Sequence, residues 1–326
     1  MLLWFVSCSN SNSGQSEAWD SVPEVGELHA ADGTAEPCYL TGCPPGLTCS
    51  VGGGWKCIGV PGEMVLVPEG DFWFGCDDSQ KDCGAFEFAW SDANYKPSPL
   101  REAWLPSFLI DVAEVTAGDY AECVGVGACE QAVANCEGLT HCDCGDEAKV
   151  NTLSPGRADH PVNCVDFARA RSYCIWRGKR LCTEAEWEKA ARGGQTWDYP
   201  WGEEPKLDFW ATVGEVCSYA NGLDCGRDTI PVGTLTLGMS QCGALDMLGN
   251  VQEWTYPLTI PTAFLPEGTD PEEWLLVIKG YGSVRGGGMR SRREDMRVWA
   301  NILTVEHYVR DDIGFRCCAW PQAEVP

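Results

Sequence analysis

Apolar positions along the chain fall into three helical stripes and, elsewhere, into short runs cut by glycine and proline. In the segment Thr183 to Ala191, Thr183 and Glu186 form a capping box, and Trp187, Ala190 and Ala191 share one face. Gly193 ends this helix. Just upstream, Phe167, Ala170, Tyr173 and Cys174 recur at helical spacing, and Gly178 stops the pattern. A third helix is expected from Thr116, with Asp119 three residues on and Tyr120 and Cys123 facing the core. After residue 195 the chain reads as short extended pieces and turns, such as Asn221-Gly222. No internal repeat and no strand–helix alternation is visible, so the pattern predicts an α+β domain with much irregular chain.

Charge and cysteine change this picture most. There are 48 acidic and 23 basic side chains, a formal net charge of −25, which argues against nucleic acid as the main partner. No apolar run reaches the eighteen or so residues of a membrane-spanning helix. Twenty cysteines are far more than a reducing compartment favours, and they form no tidy zinc pattern. They predict export and a disulfide framework.

The texture divides the chain. Residues 1–8 are a short apolar run ending Val-Ser-Cys8, expected to be the tail of a lipoprotein-type signal with Cys8 lipidated. Residues 9–36 are polar and acidic and read as a flexible tether. Residues 37–60 hold Cys38, Cys43, Cys49 and Cys57 among Gly and Pro, a module too small for a core of its own. Two disulfides are expected there, with a zinc knuckle as the rival, and the pairing does not follow from sequence. A large globular domain spans 61–320, and 321–326 is a tail.

Several segments in order resemble the formylglycine-generating enzyme, or sulfatase-modifying factor, family. Met64 to Gly75 resembles the family's opening strand. Phe108-Leu-Ile-Asp111-Val-Ala-Glu114-Val-Thr116, His160 to Asp166, Gly178 to Trp187 and Tyr199-Pro-Trp-Gly202 come next. Pro231-Val-Gly, Leu245 to Trp254, Val284-Arg-Gly-Gly287 and Gly314-Phe-Arg-Cys317 follow. The resemblance covers about 62 to 320. It implies a variant C-type-lectin-like fold, bound calcium, and an ancestral chemistry in which a sulfatase cysteine is oxidised to formylglycine.

That chemistry needs two cysteines shortly after Arg-Gly-Gly-Ser, which bind Cu(I) through thiolates. Here the stretch is Arg285-Gly-Gly-Gly288-Met289-Arg290-Ser-Arg292-Arg293-Glu-Asp-Met296-Arg297, and no cysteine lies between Cys242 and Cys317. Gly288 replaces the serine. Met289 and Met296 supply no reactive thiolate. Copper and formylglycine formation by the known route are therefore not expected. His29, His141, His160 and His307 are scattered without metal-ligand spacing, and His160 is expected in a local hydrogen bond. Glu184, Glu186 and Glu188 are expected to complement the dipole of their helix.

In the resembling family calcium is bound at the positions of Asp246, Gly249, Val251 and Glu253, through carboxylates and backbone carbonyls. Both acids are present here, so a structural calcium is expected. Asn221 and Asp224 are the residues available for a second family site, on a shorter loop. Arg285, Arg290, Arg292, Arg293 and Arg297 form either an anion-binding patch for an acidic glycan or sulfated ligand, or an internally paired ladder with acids such as Asp311 and Asp312. Internal pairing is the expected outcome. Cys8 and the small module leave fifteen cysteines in the domain, an odd number that implies a free thiol or an intermolecular bond. The resemblance pairs Cys174 with Cys317. Cys76 with Cys83 and Cys123 with Cys129 are local loops, and Cys318 needs another partner or none. The reading that results is an exported, lipid-anchored, non-catalytic binding domain of the bacterial cell envelope. Its partner would be an envelope protein or glycan, and the membrane would be met through the anchor alone. The alternative is a family enzyme modifying an exported protein through another site.

Overall fold

The computed structural model describes residues 48–50, 56–58, 64–77, 83, 99–144, 149–203, 212–256 and 280–321. The signal and tether readings, Cys8 and residues 322–326 of the C-terminal tail lie outside the described residues. Of the small module, one antiparallel strand pair is described, β1 (Thr48–Ser50) with β2 (Lys56–Ile58), Cys49 facing Cys57 in register. No helix among the described residues is long and apolar enough to cross a membrane.

The segment from Met64 to Phe74 is not one strand. It breaks at Pro68, Glu69 and Gly70, where φ of Gly70 is 135°, a value that favours glycine. The result is β3 (Met64–Val67) and β4 (Gly70–Phe74), which serve different sheets. β4 pairs with β5 (Arg101–Leu105). β3 pairs with β6 (Phe108–Asp111). That sheet continues through β14 (Cys317–Ala319) to β8 (Arg180–Leu181), so the C-terminal strand lies in its interior. A short parallel pair joins β7 (Cys142–Asp143) to β12 (Val309–Arg310). The second four-stranded sheet has β9 (Gln252–Thr255) and β10 (Tyr281–Arg285) in the middle. Its edges are β11 (Asn301–Val305) and β13 (Ile313–Gly314).

The helices follow their caps. α1 (Ala117–Gly125) starts where the Asp119 amide donates to Thr116 Oγ1 at 3.0 Å. α2 (Phe167–Trp176) is capped by Asp166 and ends before Gly178, which sits at φ 70°. α3 (Glu184–Arg192) has both capping-box bonds, 3.2 Å to Thr183 Oγ1 and 2.9 Å back to Glu186 Oε2. A fourth helix, α4 (Val213–Tyr219), lies where extended pieces and turns are expected. The sequence carries its signal, because Thr212 and Glu215 form a second capping box. Beyond helix caps, buried side chains fix the rest. One hydrophobic cluster gathers around Trp187 and a second around Tyr120, Tyr173, Trp254 and Phe315.

Seven disulfides join described cysteines. They are Cys76–Cys83, Cys123–Cys129, Cys136–Cys142, Cys144–Cys164, Cys174–Cys317, Cys182–Cys318 and Cys217–Cys225. The odd thiol expected from the count is not free, since Cys242 is disulfide-bonded too. The adjacent Cys317 and Cys318 reach opposite sides of their strand, as strand alternation requires, and so take different partners.

Candidate functional site

Strand β10 delivers Arg285 to the core, and Gly286 and Gly287 then turn the chain at φ 85° and 68°. A side chain at Gly286 would sit 2.8 Å from the Met247 carbonyl. Gly288, the residue in place of serine, packs almost as close. A Cβ there would lie 3.0 Å from the Asp312 carbonyl and 3.1 Å from the Gln252 amide nitrogen. Any larger residue would have to push backbone away. The loop then closes on itself, Ser291 Oγ accepting from the Gly288 amide at 3.0 Å. Met289 and Met296 are buried, and Met296 fills the space beside Gly222 and Gly287. The positions after the turn are thus committed to packing.

The five arginines of this stretch separate. Arg285 is buried and donates to Glu188 Oε2 and the Val298 carbonyl at 2.9 and 3.1 Å, with Glu184 at 3.7 Å. Arg290 pairs with Asp311, and Arg293 with Asp224 at 2.6 Å. Arg297 donates to the carbonyls of Arg293 and Met296 and lies over the Tyr199 ring at 4.8 Å. Arg292 is exposed. Four of the five heads are therefore bonded within the fold and do not converge on one ligand.

Glu184 and Glu186 lie in the first turn of α3, where they complement its dipole as expected, whereas Glu188 lies past that turn. It is fully buried, receives the Gly75 amide at 2.7 Å, and bridges Arg192 at 3.0 Å and Arg285. Glu186 receives both Arg180 and the Thr183 amide. The sequence places these acids on a helix start, but the partners of Glu188 at Gly75 and Arg285 come from chain about a hundred positions away. Arg192 also reaches the Gly75 carbonyl at 2.9 Å and lines a cavity of ≈ 130 Å³ with Gly75, Cys76, Asp77, Leu100, Thr196 and Trp299.

Around the residues expected to bind calcium, three buried acids face one guanidinium. Glu253 takes Arg316 on both oxygens, at 2.6 and 2.7 Å, and Trp187 Nε1 at 2.8 Å. Asp246 Oδ2 takes the Gly233 amide at 2.5 Å. Glu114, which sequence reading did not single out, accepts from Asn250 Nδ2 at 2.7 Å and the Val251 amide at 3.0 Å. Burial, with the charges of Asp246 and Glu253, raises the Glu114 pKa well above the carboxylate range. Burial likewise raises Asp246 to about 6. Asp246, Gly249 and Asn250 all have positive φ, which turns the chain sharply here. The negative excess and the Asp246 carboxylate fit a cation. The Glu253 carboxylate fits less well, because strong donors already occupy both its oxygens. Among the described residues, no three acid, thiol or imidazole side chains converge as a metal cluster. Asn221 is buried beside this turn, its carbonyl accepting from the Asn250 amide at 2.8 Å and its Oδ1 left without a partner. Asp224 is instead paired with Arg293.

The fold and the turn after β10 together define a class: a disulfide-stapled α+β domain whose irregular loops are organised by buried polar residues. The chain belongs to the family of the sulfatase-modifying factor enzyme 1-like domain, whose model matches residues 58–320. It is 31% identical over 265 residues to the serine/threonine-protein kinase Pkn1 of Chlamydia trachomatis, covering 78% of this chain. The match spans only 38% of that relative's length. It is 26% identical to the formylglycine-generating enzyme of Mus musculus, over 98% of this chain and 93% of that one. Among solved structures, PvdO from Pseudomonas aeruginosa shares the fold at a TM-score of 0.55 and 22% identity, covering 79% of this chain and 94% of that one.

Proposed function

We propose that this chain is a non-catalytic binding domain of the formylglycine-generating enzyme family, exported and anchored to the bacterial cell envelope through Cys8. The observation that carries the reading is the turn after β10. Gly288 stands there in place of the family's serine, where an added Cβ would be a tight fit 3.0 Å from the Asp312 carbonyl, and the positions beyond it hold Met289, Ser291 and Met296 and no cysteine. The fifteen cysteines from Cys76 to Cys318 are all oxidised, which suits an extracytoplasmic compartment and leaves no thiolate there for Cu(I). The partner is an envelope protein or glycan. A calcium ion held by Asp246, the Gly249 and Val251 carbonyls and Glu253 would fix the turn beneath Trp254, with Arg316 yielding part of its hold on Glu253. A second ion at Asn221 would need Asp224 to leave Arg293.

The likeness to the mouse enzyme supports a rival reading, an oxidoreductase acting through another site. Incubating purified protein with copper, oxygen, a thiol reductant that supplies the two further electrons oxygen needs, and a Cys-x-Pro-x-Arg sulfatase peptide separates the two. No aldehyde is expected by mass spectrometry, and its appearance would sink the non-catalytic reading. The calcium reading predicts a melting temperature lowered by chelator and restored by calcium, with no such response in Asp246→Ala.

A further inference from the structure

Two histidines 166 positions apart in sequence meet on the surface. His141 stands immediately before β7 and His307 two residues before β12. The parallel pairing of these strands sets Val309 opposite Cys142. The His141 carbonyl accepts from the Val309 amide at 3.1 Å. The two imidazole centroids are 5.5 Å apart, with ring planes at 68°. Both side chains are exposed. His141 holds φ at 60°, in the left-handed region where Asn, Asp and His are the side chains most often found. The neighbouring Cys136–Cys142 bond and, two residues on, Cys144–Cys164 tie this segment down.

The separation matches a chelate. A zinc–imidazole bond is about 2.0–2.1 Å, and the ring centre lies roughly 1.2 Å beyond the nitrogen. Two rings on one tetrahedral ion therefore have centroids about 5 Å apart. The two exposed rings, now edge to face, would close from 5.5 Å by turning one nitrogen of each toward a common point. We infer that His141 and His307 form a two-imidazole site for a borderline divalent cation, Zn(II) above all. Its remaining coordination positions are open to water or to an outside ligand. The Tyr308 ring lies 6.5 Å from that of His141, and its hydroxyl leans toward Asp143 at 3.4 Å, so it flanks the site without entering it. The net charge of −25 concentrates cations near the surface but confers no choice among them. The choice comes from imidazole, which suits zinc, nickel and copper(II) and not calcium or magnesium. His160 takes no part, being bonded to Thr229 Oγ1 at 2.8 Å.

Isothermal titration of the full chain with ZnCl₂, in excess CaCl₂ to saturate diffuse acidic binding, tests the site. Saturable binding with a Kd below about 1 mM is expected, weakened at least tenfold in His141→Ala and in His307→Ala and unchanged in His160→Ala. Copper(II) as a probe should give an electron paramagnetic resonance spectrum with coupling to two imidazole nitrogens, reduced to one in either variant. Zinc binding that survives both substitutions, or no saturable binding, would overturn the inference. A two-nitrogen copper signal retained in His141→Ala would do the same.

Discussion

Around Tyr120, Tyr173 and Phe315 the core is laced by Cys123–Cys129, Cys136–Cys142, Cys144–Cys164 and Cys174–Cys317. Around Trp187 the core also holds Cys76–Cys83 and Cys182–Cys318, but what sets it apart is buried charge: Glu184, Glu188, Arg192 and Arg285, with Lys189 alongside. Both regions must hold short strands and long irregular connections, which have few backbone ladders to fix them. The solutions differ in kind. A disulfide acts largely on the unfolded chain by removing its freedom, whatever happens to the charges near it. A buried ion network acts only in the folded state and only while every member is present. The first should tolerate loss of one bond if another closes nearly the same loop. The second should not tolerate loss of one partner.

The bonds Cys174–Cys317 and Cys182–Cys318 test the first half of that contrast. Each closes a large loop, with separations of 143 and 136 residues, and their ends are neighbours. Loop closure on this scale is worth about 5 kcal/mol. With one bond intact, the other closes only the short ring through 174–182 and 317–318, worth about 2–3 kcal/mol. Cys174→Ala/Cys317→Ala should therefore cost about 2–3 kcal/mol, and removal of both bonds about 7–8 kcal/mol, more than the two single losses added. Urea denaturation of the three variants measures this. Simple additivity would show that the bonds do not share a loop in the unfolded ensemble.

Arg285→Met tests the other half. It leaves Glu188 with Arg192 alone and Glu184 without a cation, both in a buried setting. A loss of about 3–5 kcal/mol is expected from urea midpoints. High salt should not reproduce it, because buried pairs are poorly screened. A loss under about 1 kcal/mol would mean that the network is packing with incidental charge.

How legible these regions are follows from the range of the interactions. The starts of α1, α2 and α3 and the stop at Gly178 are readable because capping is settled within four residues. The same local rule marks α4 at Thr212 and Glu215. Met64 to Phe74 misleads because a break between two strands depends on which sheet each joins. Glu188, Glu114 and the His141–His307 contact are illegible for one reason. Their partners lie from about a hundred to 166 residues away, and nothing in local spacing marks them. Cys242 is the odd cysteine of the domain, and a parity count within the domain alone does not show that it is bonded.

Lys189 offers the finest probe of the charged region. Its ammonium is buried, donates to the Gly70 carbonyl at 2.9 Å, and lies 5.7 Å from the Phe72 ring centre. Burial lowers its pKa to about 8, only partly opposed by Asp71 and Glu69. The ordinary lysine value is 10.5. Between these values the unfolded chain binds more protons than the folded one, so stability rises with pH. Below about 8 the side chain is charged in both states, and the burial penalty, at most about 3 kcal/mol, is fully present. Lys189→Met should remove that rise. At pH 7 the variant should differ from the parent by no more than about 1 kcal/mol, since relief of a buried charge offsets the carbonyl left without its donor. The readout is the difference between parent and variant stabilities at about pH 7.5 and 10, in thiol-free buffer so that the disulfides do not exchange. The parent should gain on the variant by about 1–3 kcal/mol over that interval. A constant difference would mean that water reaches Lys189 and that its neighbourhood is less dry than that of Arg285.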